Sequence, residues 1–360
     1  MLLKLQTATK GAYAAQKVVC MTNLGPIGQK MRDEGVEVES LEIPRGAISA
    51  GGARRFARTL RIFQPTLVVS WMYHANIFAL LARARRPAVP ILWNIRHSLH
   101  DLKSERVLTR ALVRIGAAVS GLPARIVYNS ERSLQQHTAI GYRGGAALVI
   151  PNGFDSEHFK PAAAVAARVR GELRFGDTEP TIGLIARFHP TKNHAMFLDA
   201  VARVAVEFPT LVVIMAGTGV DPSNRILMDA IRSRGLDGRV RLLGEVADSS
   251  AVLNVLDVAC LTSGGESFPN VLGEALLCGK PCVTTDVGDA RVIIGECGAV
   301  APTNRPDLFA DAVCRLLRMS NEAREDLGRV ARERIIRCYG LGVVAEQYDR
   351  LYTSVTSLAS

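Results

Sequence analysis

Two glutamates lie just after an apolar run that is typical of a buried strand. The run is 257–261, and Glu266 and Glu274 follow it within the segment 263–281, SGGESFPNVLGEALLCGKP. The glycines before Glu266 and the helical spacing around Glu274 predict a glycine loop that leads into a short helix. Free N–H groups at a helix start bind phosphate or sugar oxygens, and carboxylates accept hydrogen bonds from hydroxyls. The segment could therefore bind a ligand that carries hydroxyl and phosphate groups.

The two carboxylates also have a simpler explanation. Negative side chains near the start of a helix interact favourably with the helix macrodipole, so Glu266 and Glu274 could contribute only to local stability. Pro269 is expected in the first turn of this helix, where a proline is tolerated. The choice between ligand binding and local stability depends on which other side chains are expected nearby.

Two cations follow another predicted strand. Arg187 and Lys192 come after the apolar run 181–186. Ligands of parallel α/β sheets bind beyond the carboxyl ends of the strands, so both side chains are expected at the same edge as Glu274. Two cations there could neutralise a diphosphate and stabilise the charge that develops on a leaving nucleoside diphosphate. The alternative is a pair of solvated surface cations.

Main-chain groups at neighbouring strand ends could complete such a site. Gly217 lies in the turn AGTG, where a ligand or another backbone segment can approach closely. The turn is not a dinucleotide-binding G-x-G-x-x-G, because Pro222 stands where the third glycine would be. Glu245 and Val246 end the next predicted strand, where backbone groups could bind a base.

Two histidines follow a strand predicted in the first half of the chain. His97 and His100 come after the run 91–95 and could form a metal pair, but no further ligands are suitably spaced. No D-x-D motif occurs anywhere in the chain. The sequence therefore predicts no metal and no other cofactor, and it favours Arg187 and Lys192 as the charge partners of a diphosphate.

The charge balance predicts an anionic partner. The chain has 360 residues, with 44 Lys and Arg against 34 Asp and Glu, which gives a net charge of +10. Nucleotide phosphates, nucleic acid and an anionic membrane surface all fit this charge. No helix-turn-helix, zinc or RNA-binding signature is found, so a nucleic-acid partner is not expected.

Cysteine usage and hydropathy predict a cytoplasmic protein. The seven cysteines form no C-x-x-C pair and mostly lie in apolar runs, which favours buried free thiols in a reducing compartment. The first residues contain no apolar signal-peptide core. The longest apolar run, 67–82, is too short and too polar to span a bilayer. Peripheral contact with the inner face of the cell membrane is compatible with the basic first half.

Strands and helices alternate along the whole chain, which predicts parallel sheets with helices on both faces. We expect a first domain at 1–155, a second at 156–340 and a final helix within 341–360. The stretch 156–180 reads as polar and irregular, and 74–86 reads as one helix.

In this order and spacing, the segments resemble the family-4 retaining glycosyltransferases of the GT-B fold. Residues 266–274 are similar to the E-x7-E signature of that family, and Arg187 and Lys192 are similar to its phosphate-binding pair. The segment PNGFD, at 151–155, is similar to its usual interdomain segment. The resemblance covers nearly the whole chain and is strongest from 181 to 290. It implies two facing Rossmann-like domains, with a UDP- or GDP-linked sugar held mainly by the second.

The resemblance also implies roles for individual residues. Arg187 and Lys192 would hold the diphosphate, Glu274 the ribose hydroxyls and Glu266 the sugar hydroxyls. His97 resembles the histidine that family members place near the transferred sugar. Catalytic roles are expected for Glu266, His97, Arg187 and Lys192. Together with the residues inferred from strand ends, the expected donor-binding set is Arg187, Lys192, Gly217, Glu245, Val246, Glu266, Ser267, Phe268, Pro269, Asn270 and Glu274.

The implied activity is transfer of a sugar, with retention, to an acceptor hydroxyl on a glycan or a lipid-linked molecule, in cell-surface polysaccharide or glycolipid synthesis. One departure concerns the first domain. Family members begin with a strand and a Gly-Gly loop, which are not found ahead of the first helix here, and the missing strand belongs in the middle of the sheet. This favours a late start or a truncation. The alternative function is therefore a truncated, non-catalytic GT-B protein that binds nucleotide or a partner.

Overall fold

The structure, a computed structural model, describes the chain except for Lys10, Ala14, Ile48, Asp101, Asp177 and the ranges 103–105 and 358–360. The chain divides into two compact units. The first comprises Met1–Gly153 together with the residues from Leu341 onward, and the second comprises Phe154–Gly340. No helix among the described residues combines the length and apolar character needed to cross a bilayer.

The second unit is built on one parallel sheet of six strands. Along the sheet the order is β12-β11-β10-β7-β8-β9, so the chain winds outward from β7 first in one direction and then in the other. Such a change of direction creates a crevice at the carboxyl ends of the central strands. The strands are β7 (Thr181–Ile185), β8 (Val212–Ala216), β9 (Val240–Leu242), β10 (Val258–Leu261), β11 (Cys282–Thr285) and β12 (Gly298–Ala301).

Helices cover both faces of this sheet, which explains why its central strands are continuous apolar runs. One face packs against α9, α10 and α14, and the other against α8, α11, α12, α13 and α15. The helices are α8 (Ala163–Leu173), α9 (His194–Glu207), α10 (Arg225–Arg232), α11 (Ser249–Val255), α12 (Asn270–Leu277), α13 (Ala290–Ile294), α14 (Pro306–Leu317) and α15 (Asn321–Tyr339).

The first unit contains two separate parallel sheets. One pairs β1 with β2, and the other has the order β3-β4-β5-β6. In the described part of the chain no strand joins β1 to β3, and both strands line one cavity of about 620 Å³. The strands are β1 (Lys17–Cys20), β2 (Glu37–Ser40), β3 (Val68–Trp71), β4 (Ile91–Ile95), β5 (Arg125–Tyr128) and β6 (Ala147–Val149).

The helices of the first unit also lie on two faces. The first and last helices pack together over one face of the four-stranded sheet, around Tyr348, while α3, α4 and α6 cover the other. The final helix of the chain therefore belongs to the first unit. The helices are α1 (Leu2–Ala8), α2 (Gly25–Asp33), α3 (Ala50–Phe63), α4 (Tyr73–Ala79), α5 (Leu81–Arg85), α6 (Val107–Val119), α7 (Glu131–Ala139) and α16 (Leu341–Ser357).

Three local predictions were wrong. The stretch 156–180 is not wholly irregular, because alanines with high helix propensity form α8 although only Val169 of that helix is buried. The predicted helix 74–86 is two helices, since the amide of Leu80 bonds to the carbonyl of Ile77, three residues back. Pro269 precedes α12 as its N-cap residue instead of lying within the first turn.

Candidate functional site

The residues predicted in the second unit follow neighbouring strands of its sheet. Arg187 and Lys192 follow β7, Gly217 follows β8, Glu245 and Val246 follow β9, and the segment 263–274 follows β10. All these strands are parallel, so their carboxyl ends meet at one edge of the sheet. This edge is where a doubly wound sheet binds its ligands.

Main-chain hydrogen bonds join the loops at this edge. The amide of Phe188 donates to Thr218 O at 2.8 Å, and that of Gly217 donates to Gly244 O at 2.7 Å. The amide of Gly264 donates to Thr191 O at 2.7 Å. The loop after β7 is therefore held on one side by the loop after β8 and on the other by the loop after β10.

Lys192 and Glu266, on two of these loops, are in direct contact. Lys192 Nζ lies 2.5 Å from Glu266 Oε1, and the Ser263 hydroxyl donates to the same oxygen at 2.7 Å. The side chain of Lys192 is 22% exposed and that of Glu266 is 15% exposed. The pair is thus partly shielded from water, where a charge-assisted hydrogen bond is strong.

Two buried threonines fix the backbone beneath this pair. The Thr262 hydroxyl donates to Lys192 O at 3.1 Å and lies 3.2 Å from Asn193 O. The Thr285 hydroxyl donates to Ser263 O at 2.6 Å. Both threonines are fully buried, so the loop backbones that carry Lys192 and Glu266 are anchored from inside the core.

The start of α12 is anchored by aromatic packing. The Phe268 ring stacks on Phe154, with centroids 5.9 Å apart, and meets Tyr339 edge-on at 5.6 Å. Gly273, on the first turns of the helix, lies against the Phe154 ring and leaves no room for a Cβ atom. The amide of Asp289 donates to Ser267 O at 3.0 Å. These contacts fix the position of the backbone at the start of α12.

Other predicted residues differ in their surroundings. Arg187 is exposed and makes no hydrogen bond or ion pair with any residue that the structure describes. Glu274 is half-buried within α12, Asn270 is exposed at its start, and Glu245 is exposed after β9. Arg187 therefore extends into solvent, whereas Glu266 is already engaged by Lys192 and Ser263.

In the first unit, His97 belongs to a buried hydrogen-bonded cluster. The Tyr73 hydroxyl lies 3.3 Å from His97 Nδ1 and 2.8 Å from His137 Nε2. His137 Nδ1 lies 2.7 Å from Ser133 O, and the Ser133 hydroxyl donates to His97 O at 2.6 Å. Burial lowers the pKa of His137 to about 4, so this imidazole is neutral at physiological pH.

Arg96, next to His97, links three segments of the first unit. Its guanidinium donates to Ile150 O at 2.9 Å and to Asn152 Oδ1 at 3.2 Å. It also lies over the Trp71 ring, 5.0 Å from the centroid. Burial lowers the pKa of Arg96 to about 9. This side chain connects the loop of His97 to the residues after β6.

Several of these residues were not predicted as site residues. Tyr73, Ser133 and His137 lie far from His97 in sequence, and no short motif connects them. Ser263 opens the segment that carries Glu266 and was not assigned a role. Asp101, which follows His100 in the sequence, lies outside the described residues. Among the described residues no group of three or more His, Cys, Asp or Glu side chains is arranged to hold a metal ion.

Two family profiles match the chain, one for each half. Residues 9–153 match the family described as "Glycosyl transferase 4-like domain", and residues 179–319 match "Glycosyl transferases group 1". The second match contains all the predicted residues of the second unit, from Arg187 to Glu274. The first contains His97 and the cluster around Tyr73.

Curated relatives belong to the same class of enzyme. The phosphatidyl-myo-inositol mannosyltransferase of Mycobacterium tuberculosis is 34% identical over 223 residues, which are 59% of this chain and 55% of the relative. The D-inositol 3-phosphate glycosyltransferase of Saccharomonospora viridis is 32% identical over 200 residues, which are 52% and 46% of the two chains. These matches thus span about half the length of the relatives.

Solved structures share the fold. Anabaena Alr3699/HepE, crystallised with UDP and glucose, has a TM-score of 0.84 at 18% identity and covers 98% of this chain and 95% of its own. Sucrose-phosphate synthase from Thermosynechococcus elongatus has a TM-score of 0.82 at 19% identity, with coverages of 99% and 92%. The two family profiles, one for each half, show that the chain belongs to the family-4 glycosyltransferases, and the solved structures share its GT-B fold.

Proposed function

We propose that this protein transfers a sugar from a UDP- or GDP-linked donor to an acceptor hydroxyl, with retention of anomeric configuration. The observation that carries this proposal is the Lys192–Glu266 contact at the carboxyl edge of the second sheet, with the exposed cation of Arg187 on the same loop as Lys192. The contact places a cation and a carboxylate side by side, one suited to phosphate and the other to sugar hydroxyls.

The reaction would break the bond between the anomeric carbon and the β-phosphate oxygen of the donor. A bond from the acceptor oxygen to the same carbon forms on the same face, through an oxocarbenium-like state. The acceptor proton passes to the leaving phosphate oxygen, and nucleoside diphosphate departs. Arg187 and Lys192 stabilise the charge on that leaving group without a metal. Glu274 holds the ribose hydroxyls, Glu266 holds the sugar hydroxyls, and His97 contacts the transferred sugar.

The test is turnover of UDP-glucose and GDP-mannose with lipid and glycan extracts as acceptors, measured as release of UDP or GDP. Wild-type protein is compared with Glu266→Ala, and Arg203→Ala on the outer surface of α9 serves as the control. We expect Glu266→Ala to lose at least about a hundredfold in turnover, as when a transition-state contact is removed. Equal rates would remove Glu266 from the mechanism.

Binding without turnover would favour the alternative function, a non-catalytic GT-B protein. The two outcomes are separated by calorimetric titration of UDP and GDP into the same preparation. Where turnover is found, the anomeric proton coupling of the product decides the stereochemistry. An inverted product would contradict retention.

The acceptor is proposed to be lipid-linked, which places the protein at the cytoplasmic face of a membrane. Support comes from α6, whose solvent-facing side is apolar instead of polar. Val107 is 72% exposed, Leu108 48% and Ile115 49%. Arg106 and Arg114 are exposed beside them. A helix with exposed apolar side chains and flanking arginines suits the interface of an anionic bilayer.

Sedimentation with vesicles tests this contact. Vesicles of phosphatidylglycerol and phosphatidylcholine are compared with phosphatidylcholine alone, at low and high salt. Leu108→Asp and Ile115→Asp should weaken binding to the anionic vesicles. Val206→Asp should not, because Val206 is an equally exposed valine, 83% accessible, in the second unit. Vesicle binding that does not change with salt or with the α6 substitutions would contradict the proposed contact of α6 with the membrane.

A further inference from the structure

The loop between β11 and α13 lies against the backbone of Glu266. β10 and β11 are neighbouring parallel strands, so the residues that follow them meet at the same edge of the sheet. The Thr285 hydroxyl, at the end of β11, donates to Ser263 O at 2.6 Å, and the amide of Asp289 donates to Ser267 O at 3.0 Å. The two accepting carbonyls precede and follow Glu266 in the sequence, so the β11 side holds its segment at both ends.

Gly288 brings the two backbones into direct contact between these hydrogen bonds. Its φ angle is +52°, a conformation that residues with a side chain rarely adopt. A Cβ atom at this position would overlap Ser267 O and would lie 2.6 Å from Glu266 O. Both oxygens belong to the main chain and cannot turn aside as a flexible side chain would. A side chain at 288 would therefore force the two backbones apart, and the contact would be lost whichever of them moved.

The backbone of Glu266 determines where its carboxylate lies. Lys192 Nζ is 2.5 Å from Glu266 Oε1, and the Ser263 hydroxyl donates to the same oxygen at 2.7 Å. Such short contacts tolerate only small displacements, because hydrogen bonds weaken steeply as their geometry worsens. A shift of this backbone would therefore move the carboxylate relative to Lys192 and to a bound donor.

We propose that Gly288, together with the Thr285 hydroxyl, positions the backbone of Glu266 and so sets where its carboxylate meets a hydroxyl of the transferred sugar. The action of Glu266 on the sugar rests on the proposed function. Gly288 and Thr285 are positioning residues, which act on the sugar only through the segment that carries Glu266. Misplacement of a reacting group by about 1 Å can cost about a hundredfold in rate, so this support matters for turnover.

Gly295 provides a matched control for Gly288. Its φ angle is +53°, so alanine is strained at both positions. A Cβ atom at Gly295 would meet Arg334 Nε at 2.8 Å, which belongs to a side chain and not to the main chain. α13 leads from the carboxyl end of β11 to the start of β12, so Gly295 lies at the opposite edge of the sheet from Glu266.

The first experiment measures the coupling energy between Lys192 and Glu266 and needs no turnover. Lys192→Met, Glu266→Gln and the double variant are compared by urea unfolding in wild type, in Gly288→Ala and in Gly295→Ala. We expect the coupling to be lost in Gly288→Ala and retained in Gly295→Ala. Equal coupling in all three backgrounds, or its loss in Gly295→Ala as well, would overturn the inference.

Thr285→Val repeats this measurement with a milder change and decides the question where Gly288→Ala does not fold. It removes the hydroxyl that bonds Ser263 O and keeps nearly the same side-chain shape. Thr284→Val is its control, because Thr284 is fully buried in the same strand and its hydroxyl donates to Thr285 O, at 3.0 Å. The coupling should weaken in Thr285→Val only. Unchanged coupling in Thr285→Val would contradict the role of this hydroxyl.

The second experiment separates action on the sugar from nucleotide binding. Turnover of UDP-glucose and GDP-mannose is measured as release of UDP or GDP, and binding of the free nucleotides is measured by calorimetry. Gly288→Ala should lower kcat/KM by about tenfold to a hundredfold. The Kd for the free nucleotide should change by less than about threefold, since UDP and GDP carry no sugar for Glu266 to hold.

The same assay in the Glu266→Ala background distinguishes the inference from the proposed function. Gly288→Ala should have no further effect there, because it acts only through Glu266. Equal losses from Gly288→Ala in both backgrounds would indicate a general loss of structure and contradict the inference. Full activity of Glu266→Ala would instead sink the proposed role of Glu266 on the sugar, while the coupling measurement would still show whether Gly288 positions this residue.

Discussion

Lys192 Nζ and Glu266 Oε1 lie 2.5 Å apart, although the residues are 74 positions apart in the chain and follow different strands. Removing either charge takes this contact away from the other charge, which is partly buried. Lys192→Met and Glu266→Gln should each lower the free energy of unfolding by roughly 1–3 kcal/mol. The double variant should cost less than the sum of the two, as measured by urea unfolding.

The same comparison of two single variants with the double variant is made, as a control, for the pair of Arg318 and Glu207. Its nitrogen and oxygen are 2.6 Å apart, but both side chains are exposed to solvent. Water screens such a pair, so its coupling energy should be smaller. Strictly additive effects of Lys192→Met and Glu266→Gln would show that their contact does not contribute to stability.

Arg187 should affect donor binding without affecting stability. It is exposed and has no hydrogen bond or ion pair with another residue in the described part of the chain. Loss of a charged hydrogen bond to diphosphate should raise the Kd for UDP or GDP about tenfold to a hundredfold in Arg187→Ala. Titration calorimetry measures this, and Arg203→Ala controls for net charge. An unchanged Kd in Arg187→Ala would remove this residue from the site.

Gly217 cannot be replaced by a residue with a side chain. Its φ angle is +142°, and an added Cβ atom would collide with the backbone of Ala186 and Arg187. Gly217→Ala should therefore destabilise the protein by more than about 1 kcal/mol, measured by thermal or urea unfolding.

Gly171 provides the opposite case. It lies exposed in α8, and a Cβ atom there would meet nothing within 4 Å. Gly171→Ala should raise stability by roughly 0.5–1 kcal/mol, because alanine has the higher helix propensity. Opposite signs for the two substitutions are expected. Equal changes in stability for Gly217→Ala and Gly171→Ala would show that the turn after β8 accepts a side chain without strain.

His137 should make the protein less stable as the pH falls. Its pKa is about 4 in the folded state against 6.5 when exposed, so the unfolded chain binds more protons between these values. The free energy of unfolding is therefore unaffected by this group above about pH 6.5. It falls as the pH is lowered towards 4, by roughly 3 kcal/mol at most. The free energy of unfolding is measured from pH 7 to pH 4.5 for His137→Gln and for wild type. The difference between the two curves separates the contribution of His137 from that of the carboxylates, which both proteins share. Parallel stability curves would contradict the shift.

The cysteines should differ in reactivity according to burial. All seven are free thiols; Cys260, Cys278, Cys282, Cys297 and Cys314 are buried, and Cys20 and Cys338 are half-buried. Burial raises the pKa of Cys278 to about 12 and that of Cys314 to about 11, which suppresses the reactive thiolate. A disulfide reagent at pH 8 should modify the two half-buried thiols first, as located by peptide mass mapping. Rapid modification of Cys260 would contradict this packing.

The sequence predicted which strand ends carry the polar residues, but it did not predict their partners. Arg187, Lys192 and Glu266 could be placed at one edge because parallel strands deliver the residues that follow them to the same side of a sheet. The contact between Lys192 and Glu266 depends on the lengths and paths of the two loops and on the hydrogen bond from Thr262 to the backbone of Lys192. Loop paths and hydrogen bonds of this kind leave no periodic signal in the sequence.

Contacts between distant residues were also beyond prediction. Tyr73 and His137 are 64 positions apart, and each alone looks like an ordinary core residue of a helix. The α8 helix was missed for a different reason, since it buries little and so lacks the apolar periodicity on which prediction depends. Chemistry at strand ends could be read from the sequence, whereas hydrogen bonds across the core could not.

The divided sheet of the first unit has a consequence for its local stability. The β1–β2 ladder has four residue pairs, and no ladder in the described part of the chain couples it to β3–β6. Cooperative opening spreads through hydrogen-bonded neighbours, so the two sheets are free to open separately. Amide hydrogens of Glu39 and Leu41, which follow each other along the side of β2 that faces β1, should therefore exchange with solvent sooner than those of Trp93 and Val127 in the four-stranded sheet.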